Sequence, residues 1–357
     1  MNSRERVLRT LRHETPDRVP LDGGFCPQIW AKLKEHFRTE SNERIKEKLG
    51  MDRKGETLGP SLSFQKQNCV WFEEDWGIHI GNNVFESEWG FRCRMKPGIS
   101  IPQYIYHPLS DTTNLNKYTF PDISAPGRFK KLEETLSNYK DNYMVGASIP
   151  WNFFKHCWQL RGFQTLLEDL YLNPQFVEEL LGRLLAFKLK QVREYVKLGV
   201  DIISIGGDVG MQNNMIIAPD IWRKYFKPKL KVLIQESRRQ NKDVYWFFHS
   251  DGCIEPIIPD LIEIGFNIID PIQPECMDPV KIKKMYGDRI TLHGTISLQK
   301  TLPFGTVEEV RKEVLSRIKK CGYNGGLILA PANTVTADVP IENVLAIYNT
   351  AKETIMA

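Results

Sequence analysis

The chain has 357 residues, 41% hydrophobic and 26% charged, with a formal net charge of +4. That length suits a barrel of about 250 residues with additions. The mixed charge, without a block of like residues, argues against nucleic acid as a partner, and neither a membrane-spanning apolar run nor a secretory signal is expected.

Residues 2–13 have helical spacing, with Val7, Leu8 and Leu11 on one side and Asn2 or Ser3 able to cap the start. Pro16-Asp-Arg-Val-Pro20 breaks this helix and leads into a short extended piece, Val19–Leu21, which ends in Asp22-Gly-Gly24. Residues 28–50 read as helices with polar turns. From 70 to 105 the texture changes: Trp71, Trp76, Phe85, Trp89 and Phe91 are interleaved with Gly and Asn, and Gly81-Asn-Asn83 suits a hairpin turn. This predicts a small antiparallel excursion, packed on the body by its aromatics or shaping a substrate pocket with Trp76 and Trp89.

Strands and helices then alternate. Short apolar strands are expected at Met144–Ser148, Asp201–Ile205, Val244–Phe248, Asn267–Ile269, Arg289–Leu292 and Leu327–Leu329. Helices are expected over about 158–172, 174–198, 219–240, 256–265, 279–286, 307–321 and 341–354. Such repeated strand–helix units with short connections make a parallel sheet. No glycine-rich dinucleotide or phosphate-loop motif follows any strand. The predicted fold is therefore α/β, a TIM-type (β/α)8 barrel with an N-terminal helical extension, and a single domain over 1–357 that includes the 70–105 excursion. Val19–Leu21 is expected to supply another barrel strand. The seven dispersed cysteines, odd in number and without C-x-x-C, predict reduced thiols and a cytoplasmic protein.

In such barrels the active site is built from residues at the carboxyl ends of different strands. Here those ends carry Asp22, Asp208, His249 with Asp251, Asp270, His293 and Asn333. Any one aspartate suits a helix cap, but histidines are poor caps, so His249 and His293 carry more weight. In Val244-Tyr-Trp-Phe-Phe-His249-Ser-Asp251, the imidazole and carboxylate lie two residues apart and converge if strand geometry persists. Oxygen and nitrogen donors of this kind suit Zn²⁺ with one position open, which acts as a Lewis acid. Without a metal, the same groups make an acid/base site.

Several motifs along nearly the whole chain carry a family resemblance. They include Ser3-Arg-Glu-Arg-Val-Leu with Pro16-Asp-Arg-Val-Pro20, Gly207-Asp208-Val-Gly-Met-Gln212, His249-Ser-Asp-Gly252, Leu302-Pro-Phe-Gly-Thr306 and Gly325-Gly-Leu-Ile-Leu-Ala-Pro331. The sequence resembles the uroporphyrinogen decarboxylase superfamily. True decarboxylases there carry an arginine-rich R-Q-A-G-R motif for the porphyrin carboxylates, where this chain has Asp22-Gly-Gly-Phe-Cys-Pro27. The chain looks more like the corrinoid-linked methyltransferase branch, which binds Zn²⁺ through an H-x-C pair and a later cysteine. His249 fits the family histidine, Asp251 stands in place of the first cysteine, and Asn333 lies near the second.

The resemblance implies a methyltransferase that passes a methyl group between a small donor, such as a methyl ether, or a thiol acceptor and a separate corrinoid protein. His249 and Asp251 would be metal ligands, and Asp208 and His293 a third ligand or catalytic groups. Asp22, Trp76, Trp89, Gln212, Asp270 and Asn333 would contact substrate. The corrinoid must come from a partner, because the chain has no D-x-H-x-x-G cobalamin motif. The competing expectations are a barrel that serves only as a binding partner, and a metal-free decarboxylase of a smaller carboxylate.

Overall fold

The computed structural model describes residues 1–72, 75–96 and 102–356. Among the described residues, twelve strands form two sheets. The first strand, β1 (Arg53–Thr57), belongs to the barrel. It is followed by the antiparallel excursion β2 (Val70–Phe72), β3 (Asp75–His79), β4 (Val84–Ser87), β5 (Arg92–Arg94) and β6 (Gln103–Tyr106). The remaining strands are β7 (Met144–Ile149), β8 (Ile202–Gly206), β9 (Tyr245–His249), β10 (Ile268–Asp270), β11 (Thr291–Ile296) and β12 (Leu327–Pro331).

The barrel strands run in the order β1-β7-β8-β9-β10-β11-β12, all parallel. Leu21 closes the ring with parallel bridges to Met51 on one side and Leu329 on the other. The eighth position is thus shorter than the expected strand Val19–Leu21. Pro20 has no N–H to give a ladder, and the Leu21 N–H goes to the Asp52 side chain at 2.9 Å. The seam is completed by Asp52 N to Leu21 O at 2.8 Å and Leu329 N to Pro20 O at 2.9 Å.

β1 has no place among the sequence expectations, because Arg-Lys-Gly-Glu-Thr contains no apolar side chain. Its alternation is electrostatic. Lys54 turns outward to Glu43 at 2.5 Å and lies over the rings of Tyr139 and Tyr143. Glu56 likewise meets Lys131 at 2.9 Å. Arg53 lies over the ring of Phe247.

A compact cluster of Met144, Ile202, Phe247, Ile268 and Ile328 is joined by Val7 and Leu11 of the helix Ser3–Leu11. This helix thereby packs its apolar stripe against strand residues near their amino ends. Its position is held by Arg4, which makes two bonds to Asp201 at 2.7 and 2.6 Å, and by Arg6, which reaches Asp17 and Asp52. A much larger apolar cluster includes outward strand residues and the surrounding helices.

Three expected helices are divided. Residues 153–172 form Phe153–Arg161 and Phe163–Leu172, separated at Gly162 with φ +102°. The segment from Pro219 forms Pro219–Tyr225 and Lys227–Gln240, with Pro228 in the first turn of the second helix. Residues 255–257 form a 3₁₀ turn ahead of Ile258–Ile264. The antiparallel excursion is a five-stranded sheet, and residues 73, 74 and 97–101 of the expected 70–105 range lie outside the described residues.

Candidate active site

β10 lies between β9 and β11, and Asp270 at its end is in register with His249 at the end of β9. The Asp270 carboxylate accepts from two imidazoles. His249 Nδ1–H donates to Oδ2 at 2.5 Å, and His293 Nδ1–H on β11 donates to Oδ1 at 2.5 Å. His293 Nε2–H reaches Asp22 Oδ2 at 3.2 Å, which also accepts from Arg53 Nη1 at 3.0 Å. A continuous chain Arg53–Asp22–His293–Asp270–His249 therefore joins the barrel interior to the carboxyl ends of β9 and β10; His293 lies inside β11, which runs on to Ile296, and not at a strand end as the sequence suggested.

Asp208, His249 and Asp251 form a second group, each offering a ligand atom within 4.8 Å of the others. β9 stops at His249, so strand geometry does not carry Asp251 into place. The loop after β9 is held by Ser250 N to Asp270 O at 2.8 Å and by Asp251 N to Asp208 Oδ1 at 2.9 Å. Glycine lets the loops after β8 and β9 touch. A Cβ on Gly252, whose φ is +79°, would lie 2.6 Å from the Met211 carbonyl oxygen, and one on Gly210 would lie 2.5 Å from the Asp251 carbonyl oxygen. Asn333 Nδ2 donates to Asp251 Oδ2. Asp251 Oδ1 is buried and has no hydrogen-bond partner among the described residues.

The charges follow from these contacts. Burial opposes ionisation of His249, but the Asp270 bond and charge, with Asp251 and Asp208 nearby, lift its pKa to about 10. Burial also opposes the charge on His293, which Asp270 and Asp22 overcome to raise its pKa. Burial acts against Asp270 too, yet His293 and His249 hold it well below the usual carboxylate range. For Asp251, burial and the neighbouring Asp208 and Asp270 carboxylates outweigh His249 and push the pKa up to about 6. Crowded carboxylates beside an imidazole in this way form a site that an added cation would relieve.

Of the residues singled out from the sequence, Asp208, His249 and Asp251 meet directly. Asp270 holds both histidines, His293 and Asp22 extend the chain behind them, and Asn333 touches Asp251. Gln212 instead bonds Gln299 and the Glu275 carbonyl at an exposed position. Trp76 and Trp89 line a different cavity together with Trp151, His156 and Lys188. Two contributors carried no sequence signal. Arg53 sits in the all-polar β1, and Gln273 accepts from Gly252 N at 3.2 Å from a loop without periodicity.

Comparison with known proteins supplies a family context. A sequence profile described as uroporphyrinogen decarboxylase (URO-D) matches residues 84–354. The chain is 26% identical over 153 residues to the methylcobamide:CoM methyltransferase MtaA of Methanosarcina barkeri, a match covering 43% of this chain and 41% of that protein. It is 20% identical over 362 residues to the uroporphyrinogen decarboxylase of Trichodesmium erythraeum (strain IMS101), covering 97% of this chain and 95% of the relative. A solved methyltransferase from Methanosarcina mazei superposes with a TM-score of 0.70 at 17% identity, over 99% of each chain, and shares the fold.

Proposed function

The chain belongs to the uroporphyrinogen decarboxylase (URO-D) family, and we propose that it works as a methyltransferase, moving a methyl group between a small donor or thiol acceptor and a corrinoid held by a separate protein. The convergence of Asp208, His249 and Asp251 carries this reading. The partial similarity to a methylcobamide:CoM methyltransferase supports it. Porphyrinogen decarboxylation is disfavoured by the site's charge. A substrate with eight carboxylates calls for several arginines, whereas Arg53 beside Asp22 is already paired with it.

The three residues fit a zinc ion. Each has one polar atom engaged by the protein and one left over. Asp270 takes His249 Nδ1 and leaves Nε2; Asn333 takes Asp251 Oδ2 and leaves the unpartnered Oδ1; the Asp251 N–H takes Asp208 Oδ1 and leaves Oδ2. One nitrogen and two oxygens, with a position to spare, match a catalytic zinc donor set. Zn²⁺ held by Asp208, His249 and Asp251 would supply Lewis acidity to the heteroatom that carries the methyl group. Such a hard donor set favours an oxygen-bearing donor, such as a methyl ether, over a soft thiol.

The chain's own residues prepare that site. Asp270 fixes the orientation and tautomer of His249, as the outer partner of a metal-bound histidine does. His293, bonded on both ring nitrogens, holds Asp270 in place and joins it to Asp22 and Arg53. Elemental analysis of protein purified without chelators tests the proposal. About one zinc per chain is expected, lost in both His249→Ala and Asp251→Ala. Absence of bound metal under zinc-replete conditions would refute the zinc site and favour acid/base chemistry on the same imidazole–carboxylate chain.

A further inference from the structure

Arg53 lies on the inner face of the barrel with most of its donors unused. Lys54 and Glu56 turn outward to Glu43 and Lys131, so Arg53, Gly55 and Thr57 of β1 face inward. Of the guanidinium N–H groups, one from Nη1 goes to Asp22. Nε is buried without a partner, and Nη2 has no acceptor among the described residues. Cζ lies 4.7 Å from the centre of the Phe247 ring.

Beside Arg53 the inward positions carry only small residues. Met144 and Ile202 close the amino end with Phe247 and Ile268. Beyond them β7 presents Gly146 and Ser148, and β8 presents Ser204 and Gly206. The outward residues Val145, Ala147, Ile203 and Ile205 are 0% exposed, whereas Ser148, Ser204 and Gly206 are half-buried and Gly55 is exposed. The outer face of β1 is covered by the helix Lys130–Tyr139, whose Thr135 bonds Glu56. An exposed glycine within such a strand marks an opening inside the barrel. It leads from Arg53 towards His249: a Cβ on Gly146 would stand 3.7 Å from Arg53 Nη2, and one on Gly206 would stand 3.5 Å from His249 Cδ2. The hydroxyls of Ser148 and Ser204 have no hydrogen-bond partner among the described residues.

The charges on these walls balance without a ligand. Arg53 and His293, which donates from both ring nitrogens, face the carboxylates of Asp22 and Asp270. A carboxylate entering here would bring a charge without a partner, whereas an uncharged oxygen can accept an unused guanidinium N–H and bond a serine hydroxyl. We propose that Arg53 selects the methyl donor, an uncharged methyl ether with a second oxygen, hydroxyl or carbonyl, that accepts from the guanidinium while the methoxy group lies beside His249. The small residues of β7 and β8 leave room for the carbon atoms that join the two oxygens. Such selection rests on the methyl-transfer reading of Asp208, His249 and Asp251, and it concerns the end of the substrate that does not react.

Ligand-observed NMR titration of the full-length, zinc-loaded protein without corrinoid tests the selection apart from turnover. 2-Methoxyethanol is compared with 1-methoxypropane, which has a methyl group in place of the hydroxyl, and with methoxyacetate, which carries a carboxylate. Saturable binding of 2-methoxyethanol is expected, roughly tenfold tighter than that of 1-methoxypropane, with the preference lost in Arg53→Met. Ser204→Leu, which fills the opening and keeps the Arg53–Asp22 pair, is expected to abolish binding, and the wild-type series decides even if Arg53→Met does not fold. Equal affinity for the two ethers, or no saturable binding of 2-methoxyethanol, would overturn the proposal. Tighter binding of methoxyacetate that depends on Arg53 would overturn the uncharged class. The expected pattern without methyl transfer to cob(I)alamin would uphold the selection and count against the methyltransferase reading. Transfer from both ethers at equal rates would uphold that reading and overturn the selection.

Discussion

Asp270 accepts from His249 and His293 with its two oxygens, so both imidazoles are held through one short side chain. An amide at this position keeps the shape but offers one acceptor oxygen and an NH₂ group that cannot accept the other imidazole proton. Asp270→Asn is therefore expected to weaken zinc binding by about 10–100-fold, the usual cost of losing an outer partner of a metal-bound histidine. Competition with a chelator of known affinity measures this. Unchanged affinity would mean that His249 is positioned by packing alone. Asp270 was visible in the sequence as a polar residue at a strand end, but its role was not. The predicted barrel already places β10 between β9 and β11, but that both imidazoles turn towards one carboxylate depends on side-chain orientations the sequence does not show.

At the scale of elements, the segment before β1 holds the barrel closed. The carboxylate of Asp52, 0% exposed, accepts from Arg6, Arg18, Ser3 and the Leu21 N–H. Removing it leaves two guanidiniums without their buried partner. Asp52→Ala is expected to cost about 3–5 kcal/mol in urea denaturation; a loss under 1 kcal/mol, the range of exposed ion pairs, would contradict this account of the seam. Acid acts on the same network through Asp17. The Arg6 bond outweighs burial and lowers its pKa from 3.8 to about 2. A carboxyl depressed in the folded state stabilises above its unfolded pKa, so this contribution is complete above about pH 4 and fades as the pH falls towards 2. Acid unfolding of Arg6→Ala should begin at higher pH than that of the wild type; coincident curves would contradict the assignment.

These elements also show which parts of the fold were readable. β8 and β9 are apolar on both faces, because helices cover one side and the barrel interior the other, and their runs Ile202–Ile205 and Tyr245–Phe248 stand out. β1 is hidden because Lys54 and Glu56 satisfy its outward face by charge. The motif Ser3-Arg-Glu-Arg with Pro16-Asp-Arg was conspicuous, and the structure gives it the work of clamping Asp52. Aromatic Trp76 and Trp89 announced a packed sheet, yet nothing in their spacing placed them beside the buried Lys188, far along the chain.

Across the whole molecule, the small sheet is joined to the barrel by an aromatic interface. Phe91 is 0% exposed and meets Trp151 with ring centres 5.8 Å apart, while Trp89 packs against His156 and Phe187. Loss of a fully buried phenylalanine costs about 3–5 kcal/mol. Phe91→Ala is expected to lower the stability by that amount in a single transition, because sheet and barrel share this packing. Two separate transitions would show that the sheet unfolds on its own. Among the described residues no helix is long and apolar enough to cross a membrane.

Methyl transfer itself is the most direct test. Zinc-loaded protein mixed with cob(I)alamin and a panel of methyl ethers, or with methylcob(III)alamin and a panel of small thiols, can be followed by the change in corrinoid absorbance. The account predicts protein-dependent conversion with at least one partner, abolished in His249→Ala. No conversion with any donor or acceptor by metal-loaded, folded protein would contradict it.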